Sequence, residues 1–530
     1  MRARLDKRWV VTGVACAAAV ALVLSGLVRI LHHGPPPPYR PDSQALTTYH
    51  YDNSRTGADA GDPSFRKLGF DWTDIGNRID GAVYAEPLVF GGRIYVVTES
   101  DVVEALDAET GDVLWRLTVG TPVQPAVVRS APGIGSHCGD IFPLGITGTP
   151  VIDPAKNVLY LAEETMRRGT TRWRGVEHLL VAVSLAHHRL HQRLLWSRRI
   201  DPPGYGDGLH GTYVVPAEQQ RSALTLANGR VYVELGGLAG DCGTYHGAVI
   251  GVPTSGKGKT LVYETPSPTE DAIWAPSGAA VDAAGDLFVT TGNGSVRDHS
   301  FEMDNAVIEL SPTLHVLGYF APSDWSLLNR HDLDLGSAGP LLLPGGELVF
   351  QAGKPSYSGP AGGSLESFGY LLHAGRRGGV GRPAFRGNVC PGVQGVFGAN
   401  AAGTFTVNGR RALLVFAACS GGTVGLVVTT GPHPSFRRIW IASAGQPNGP
   451  PIVAGGLVWA VSTGADGSGS ANGILYGMSP VTGKVLVTEQ LDRPVSNFTT
   501  PAAGDGQLII PLANGLEEFR PWPPGVVPGS

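Results

Sequence analysis

Short runs of alternating apolar residues, punctuated by glycine and proline, recur along the chain from Pro87 to Phe519. One stretch runs Gly92-Arg93-Ile94-Tyr95-Val96-Val97-Thr98, then Ala105-Leu106-Asp107-Ala108-Glu109-Thr110-Gly111, then Leu114-Trp115. Its counterpart far downstream runs Gly456-Leu457-Val458-Trp459-Ala460-Val461, then Leu475-Tyr476-Gly477-Met478-Ser479-Pro480-Val481-Thr482-Gly483, then Val485-Leu486-Val487. Each predicts a strand, a second strand, a tight Thr-Gly turn and a third strand. In that turn a short polar side chain caps the bend and glycine supplies the positive φ. Repetition of such units predicts an array of identical sheets, and four-stranded units of this size form propeller blades.

Blade openings, each an apolar strand just after a small residue or proline, fall at Pro87, Pro150, Leu224, Ala279, Pro340, Ala401, Pro451 and Pro501. The fold class is therefore all-β: an eight-bladed propeller of four-stranded antiparallel blades, with seven as the fallback count. The last blade, Pro501 to Phe519, supplies only three strands, so its outer strand must come from the N-terminal side. Lys67 to Trp72 and Asp74 to Arg78 are the two candidates. That closure ties the chain ends together and removes exposed sheet edges. Trp115, Trp196 and Trp440 recur on the strand after the turn, where a large ring fills the wedge between blades.

Composition agrees with an all-β body: Gly 75 and Pro 41, with only 16% charged residues. The formal charge of −5 gives no basic footprint, which excludes nucleic acid as a partner. Residues 1–8 carry Arg2, Arg4, Lys7 and Arg8, and an apolar run fills 9–31. As a helix that run spans roughly 34 Å, enough to cross a bilayer of about 30 Å. The reading is an uncleaved transmembrane signal anchor with its basic end cytoplasmic and the rest extracytoplasmic. Cleavage of this segment would instead give a secreted protein. Residues 32–46, with four consecutive prolines, form a stiff linker. The propeller then occupies 47–520, with a tail over 521–530.

Outside Cys16 four cysteines remain, an even number that suits two disulfides in an exported protein. Of the three connectivities, Cys390–Cys419 with Cys138–Cys242 is the expected one; free buried thiols are the alternative. Closing the longer loop of about 100 residues would contribute roughly 4–5 kcal/mol on a chain-entropy account. No Cys-x-x-Cys-His occurs, so covalent haem is excluded.

The repeat and its flanks resemble the PQQ-type propellers, a family of quinoprotein alcohol dehydrogenases and non-catalytic relatives. The residues carrying the likeness include His50-Tyr51-Asp52-Asn53-Ser54-Arg55-Thr56-Gly57, Val83-Tyr84-Ala85-Glu86-Pro87-Leu88, Gly145 through Asp153, and Asp332-Leu333-Asp334-Leu335-Gly336. The resemblance spans nearly all of 47–520 and implies the fold more strongly than any activity. In the catalytic members the quinone stacks on a tryptophan floor beside Ca²⁺, and an aspartate takes the alcohol proton. Carried over residue by residue, Trp274 is the floor, Asn293 an amide metal ligand, and Asp334 (or its neighbour Asp332) the catalytic aspartate and a metal ligand. Lys354 and Arg221 would touch the quinone, and Asp241 would complete the metal set.

The chain departs from that pattern. No two cysteines are adjacent, Pro355-Ser356-Tyr357 follows Lys354, and glycine-rich stretches erode blades five and six. A three-carboxylate cofactor also needs several cations. Read as blade structure alone, Trp274 packs between blades, Asn293 adopts a turn, and Asp332 and Asp334 form a hydrogen-bonded loop. Other motifs fall away. Gly256-Lys257-Gly258-Lys259-Thr260 lacks the first glycine of a phosphate loop and sits in a hairpin context. His187, His188 and His191 lie in a solvated basic insertion, and no Gly-x-Ser-x-Gly elbow exists.

The expected function is therefore an anchored propeller that serves as a binding or assembly scaffold, degenerate as a quinoprotein. Its axis would take a protein, glycan or small molecule. The alternative is a PQQ- and Ca²⁺-dependent dehydrogenase oxidising an alcohol or sugar. Convergence of Asp241, Asn293 and Asp334 above Trp274 near the axis is what the alternative requires.

Overall fold

A computed structural model describes residues 45–59, 64–65, 68–73, 79–186, 193–202, 214–267, 269–295, 300–359, 362–376, 378–442, 448–462 and 472–521. The expected anchor segment, nearly all of the proline linker, the tail beyond residue 521, the second closing candidate and the His187/His188/His191 insertion lie outside these residues. Among the described residues no helix is long and apolar enough to cross a membrane.

Among the described residues eight sheets form the body, each built on four antiparallel strands, which follow chain order in seven of them. Their innermost strands are Leu88–Val89, Val151–Asp153, Thr225–Ala227, Ala280–Val281, Leu341–Leu342, Val396–Val407, Ile452–Ala454 and Ala502–Gly504. These open blades I to VIII at the anticipated places. Blade VI begins five residues earlier than Ala401, and it is not eroded: its strands run to twelve residues. Blade V also keeps four strands, interrupted by the small hairpin Ser356–Tyr357 with Leu365–Glu366. Gly379–Val380, an unanticipated addition, pairs parallel with the outer strand of blade IV. The innermost strands of blades I and VIII touch, closing the ring.

Leu68–Thr73 pairs antiparallel with Gly515–Pro521, so the N-terminal side completes blade VIII. Both disulfides pair as expected, Cys138–Cys242 and Cys390–Cys419.

The Thr-Gly turns and the tryptophans are two halves of one contact. A Cβ on Gly111 of blade I would lie 2.6 Å from the Trp72 ring of the closing strand. Gly256 of blade III meets Trp196 of blade II at 2.6 Å, and Gly483 of blade VII meets Trp440 of blade VI at 2.5 Å. Glycine is thus required twice, for its positive φ and for the ring of the preceding blade lying flat on it. Blade II has the His-rich insertion at this position, and there Arg193 covers Trp115 at 4.3 Å instead. The phosphate-loop lookalike is this same hairpin, with Gly256 under Trp196.

Residues 46–59 explain the His50–Gly57 motif. This segment threads the axis and offers its polar groups to one blade after another. Val89, Ile152, Val281, Leu342, Ala402 and Val453 donate N–H to the carbonyls of Leu46, Thr47, Asn53, Ser54, Thr56 and Gly57 at 2.7–3.0 Å. The Asn53 amide donates to Leu226 O on blade III, and Tyr49 meets Thr500 at the entry to blade VIII. Arg55 is 1% exposed and places its guanidinium on Ala279 O, Thr48 Oγ1, Tyr49 O, Leu224 O and Thr225 Oγ1. His50, Tyr51 and Arg55 all take left-handed backbone, a cost that contacts on every side hold in place. The motif is a structural plug.

Candidate functional site

Each candidate side chain sits on a linker entering a blade or at the outlet of a second strand. Trp274 precedes the inner strand of blade IV, and Arg221 that of blade III. Asn293 follows Leu287–Thr290 and Lys354 follows Leu348–Ala352. The helix Trp325–His331 ends on Asp332, whose left-handed backbone (φ 51°) turns the chain so that Asp334 returns toward the axis. Asp241 lies on a loop beyond Arg230–Gly237, stapled by Cys138–Cys242.

These linkers and outlets share one end of the ring, and all six candidates line a single cleft of about 190 Å³ together with Asp332 and Tyr245. Asp334 is 4% exposed. Its Oδ1 accepts the Asn293 N–H at 2.7 Å and its Oδ2 meets Lys354 Nζ at 2.7 Å. Lys354 Nζ also reaches Asp332 Oδ1 at 2.7 Å and Asp332 O at 3.0 Å. Burial raises the Asp334 carboxyl against the pull of Lys354. The same burial opposes the Lys354 charge, but Asp334 and Asp332 outweigh it and hold the ammonium above its ordinary value. Gly292 is needed beside this pair, since a Cβ there would lie 2.7 Å from Asp334 Oδ1 and 3.3 Å from Trp274 Nε1.

Asp241 Oδ1 accepts the Tyr245 hydroxyl at 2.6 Å; burial, then Asp241, pushes that phenol well up. Arg221 is held by Asp140 at 2.9 and 3.2 Å and lies over the Phe498 ring. Phe498 itself comes from the linker before blade VIII, diametrically opposite blade IV, and leans on Trp274 at 6.3 Å.

Tyr245, Asp140 and Phe498 were not among the sequence candidates. Only Phe498 left a trace, as an aromatic residue three positions before a blade opening, much as Trp274 stands before Ala279.

Comparison with known proteins agrees with the fold. Residues 75–149 match the family model described as outer membrane protein assembly factor BamB. Among solved structures, a europium-containing methanol dehydrogenase gives a TM-score of 0.58 at 13% identity, over 92% of this chain and 99% of that one. The quinohemoprotein alcohol dehydrogenase ADHIIG from Pseudomonas putida HK5 gives 0.55 at 12% identity, over 90% and 80%. The chain has the PQQ-repeat propeller fold. BamB from Moraxella catarrhalis superposes at 0.48 with 11% identity, over 86% and 100%. No curated protein sequence matches it. At such identities the likeness concerns the fold, and the chemistry must come from the residues.

In this PQQ-repeat propeller the cleft fits the quinone poorly. Its volume of about 190 Å³ is below the roughly 300–1,000 Å³ of pockets for drug-sized ligands. Three carboxylates (Asp241, Asp332, Asp334) face two cations, and both cations already have carboxylate partners. A tricarboxylate entering there meets the wrong sign of charge. The Ca²⁺ set is equally engaged, because both oxygens of Asp334 are taken.

Proposed function

We propose that this chain is a membrane-anchored, extracytoplasmic binding or assembly module, degenerate as a quinoprotein, whose axial cleft takes a small hydroxyl-bearing ligand such as the end of a glycan. The observation carrying this reading is the Lys354 ammonium seated between Asp332 and Asp334, which leaves neither oxygen of Asp334 without a partner. Carboxylates beside an indole suit hydroxyl donors on a ring with one apolar face. The dehydrogenase is the second reading, favoured by the meeting of all six candidates in one cleft.

One experiment separates them. The full chain, purified in detergent, is titrated with PQQ and Ca²⁺ while tryptophan emission and alcohol-dependent dye reduction are followed. No quenching and no dye reduction are expected. Quenching with dye reduction that Asn293→Ala abolishes would establish the dehydrogenase and overturn the proposal.

A further inference from the structure

Away from the axial cleft, the seam between blades I and II holds a buried acidic group. Glu99 and Asp101 come from the turn after Arg93–Thr98, and Glu163 and Glu164 from Val158–Met166. All four are at most 2% exposed. Two of them have one oxygen each partnered from within the protein, the other oxygen of each being buried without a hydrogen bond. Glu164 faces His178 Nε2 at 3.5 Å, and His178 Nδ1 meets Asp201 at 2.8 Å. Glu99 Oε2 accepts the Gly145 N–H at 2.8 Å.

Asp101 and Glu163 have no such relief. Both oxygens of Asp101 and Oε2 of Glu163 are fully buried without a hydrogen-bond partner. The nearby Thr165 hydroxyl accepts the Thr121 N–H at 2.8 Å and donates to Thr121 O at 3.0 Å. Its single proton serves either Thr121 O or Asp101, and with the proton on Thr121 O the oxygen is free to face a cation. Glu163 Oε2, Thr165 Oγ1 and Asp101 Oδ2 converge beside Gly120. A Cβ on that glycine would lie 2.4, 2.5 and 2.7 Å from them respectively. Among the described residues no lysine or arginine forms an ion pair with either carboxylate.

We infer that Asp101, Glu163 and Thr165 bind a hard divalent cation, Ca²⁺, that pins blade I to blade II. Two carboxylates with no counter-charge in a buried seam call for two positive charges, and an all-oxygen donor set selects a hard ion. The same turn carries Glu99, whose Gly145 partner lies in the segment that brings Asp140 to Arg221. The ion would therefore also brace one rim of the axial cleft.

The test uses the full chain in detergent, stripped with EDTA and then given Ca²⁺. Elemental analysis of the extensively dialysed protein should find one calcium per chain. Saturating Ca²⁺ should raise the thermal midpoint by at least ~3 °C, since a ligand of the native state stabilises it by mass action. Asp101→Asn, Glu163→Gln and Gly120→Ala should each lose this response, whereas Asn293→Ala, in the axial cleft, should keep it. A wild-type midpoint and metal content indifferent to EDTA and Ca²⁺ would mean a proton shared by the two carboxylates and would overturn the inference. So would a response lost in Asn293→Ala and kept in Asp101→Asn. Should the seam variants fail to fold, the wild-type chelation and metal content still decide.

Discussion

Replacing Lys354 by methionine is the most direct probe of the axial cleft. The side chain keeps its length and apolar stem, so the perturbation is mainly loss of the ammonium. Removing one partner of a buried ion pair costs ~3–5 kcal/mol, because the other charge is stranded. Here Lys354 is 19% exposed and Asp332 64%, so only Asp334, at 6%, is truly stranded. The low end, about 3 kcal/mol, is expected at pH 7. The sign with pH follows from protonation. Burial already raises Asp334, and without Lys354 its folded value moves further above the unfolded value near ~3.9. The folded variant then binds more protons than the unfolded chain, so its stability falls as pH rises. The deficit should be full at neutral pH and close toward pH ~4. Ca²⁺ should recover part of it at neutral pH, since Asp332, Asp334 and the Asn293 amide then face a space that lacks a cation. Urea unfolding at pH 7 and pH 4.5, with and without Ca²⁺, measures all three effects. A deficit below ~1 kcal/mol, or one unchanged by pH, would refute the claim that Lys354 neutralises the cleft.

Three further outcomes test the scaffold. Arg55→Met removes five buried hydrogen bonds from the plug and should cost about 3–5 kcal/mol in urea unfolding; a loss under ~1 kcal/mol would mean the plug is dispensable. Burial opposes protonation of His178, but Glu164 and then Asp201 raise it to about 10. That contribution is complete below the unfolded value of ~6.5 and is lost as pH rises through about 10, so wild type should lose its advantage over His178→Asn between pH 8 and 10; a constant difference there would contradict the assignment. Gly483→Ala pushes a methyl to 2.5 Å from Trp440, whereas Gly456→Ala, at φ 83°, meets nothing within 4 Å. The first should therefore be the more destabilising by ~1–3 kcal/mol, and equal losses would remove the packing role of the turn glycine.

The blades were legible because strand alternation and turn chemistry are local. Each of the eight openings needed only a small residue or proline ahead of a short apolar run, and the short last blade implied its own missing strand. Contacts between blades were less so. Glycine and tryptophan were visible as separate signals, but nothing local says that Trp440, which covers Gly425 of its own blade, also lies on Gly483 of the next. The plug was legible only as a motif. Its purpose depends on carbonyls meeting successive innermost strands, from Leu46 on blade I to Gly57 on blade VII. Blades V and VI looked eroded because glycine-rich stretches lower propensity, whereas backbone pairing and the Cys390–Cys419 bridge maintain the sheets.

For the cleft, residue type was legible and charge state was not. Trp274, Asn293, Asp334 and Lys354 stand at positions that resemble a quinone site, and the fold brings them together. What decides their chemistry is who satisfies whom, and that depends on distances no spacing reveals. The plug sharpens the point. The cleft is built from linkers that precede the innermost strands and from the outlets of second strands, while residues 46–59 bond to the innermost strands themselves. Phe498 leans on Trp274 beside the cleft, and Arg55 holds the plug among Leu224, Thr225 and Ala279. A small ligand suits the cleft's volume of about 190 Å³ where a large planar cofactor does not, and its hydroxyls would find Asp241 and the 64% exposed Asp332, while Lys354 pairs with the buried Asp334.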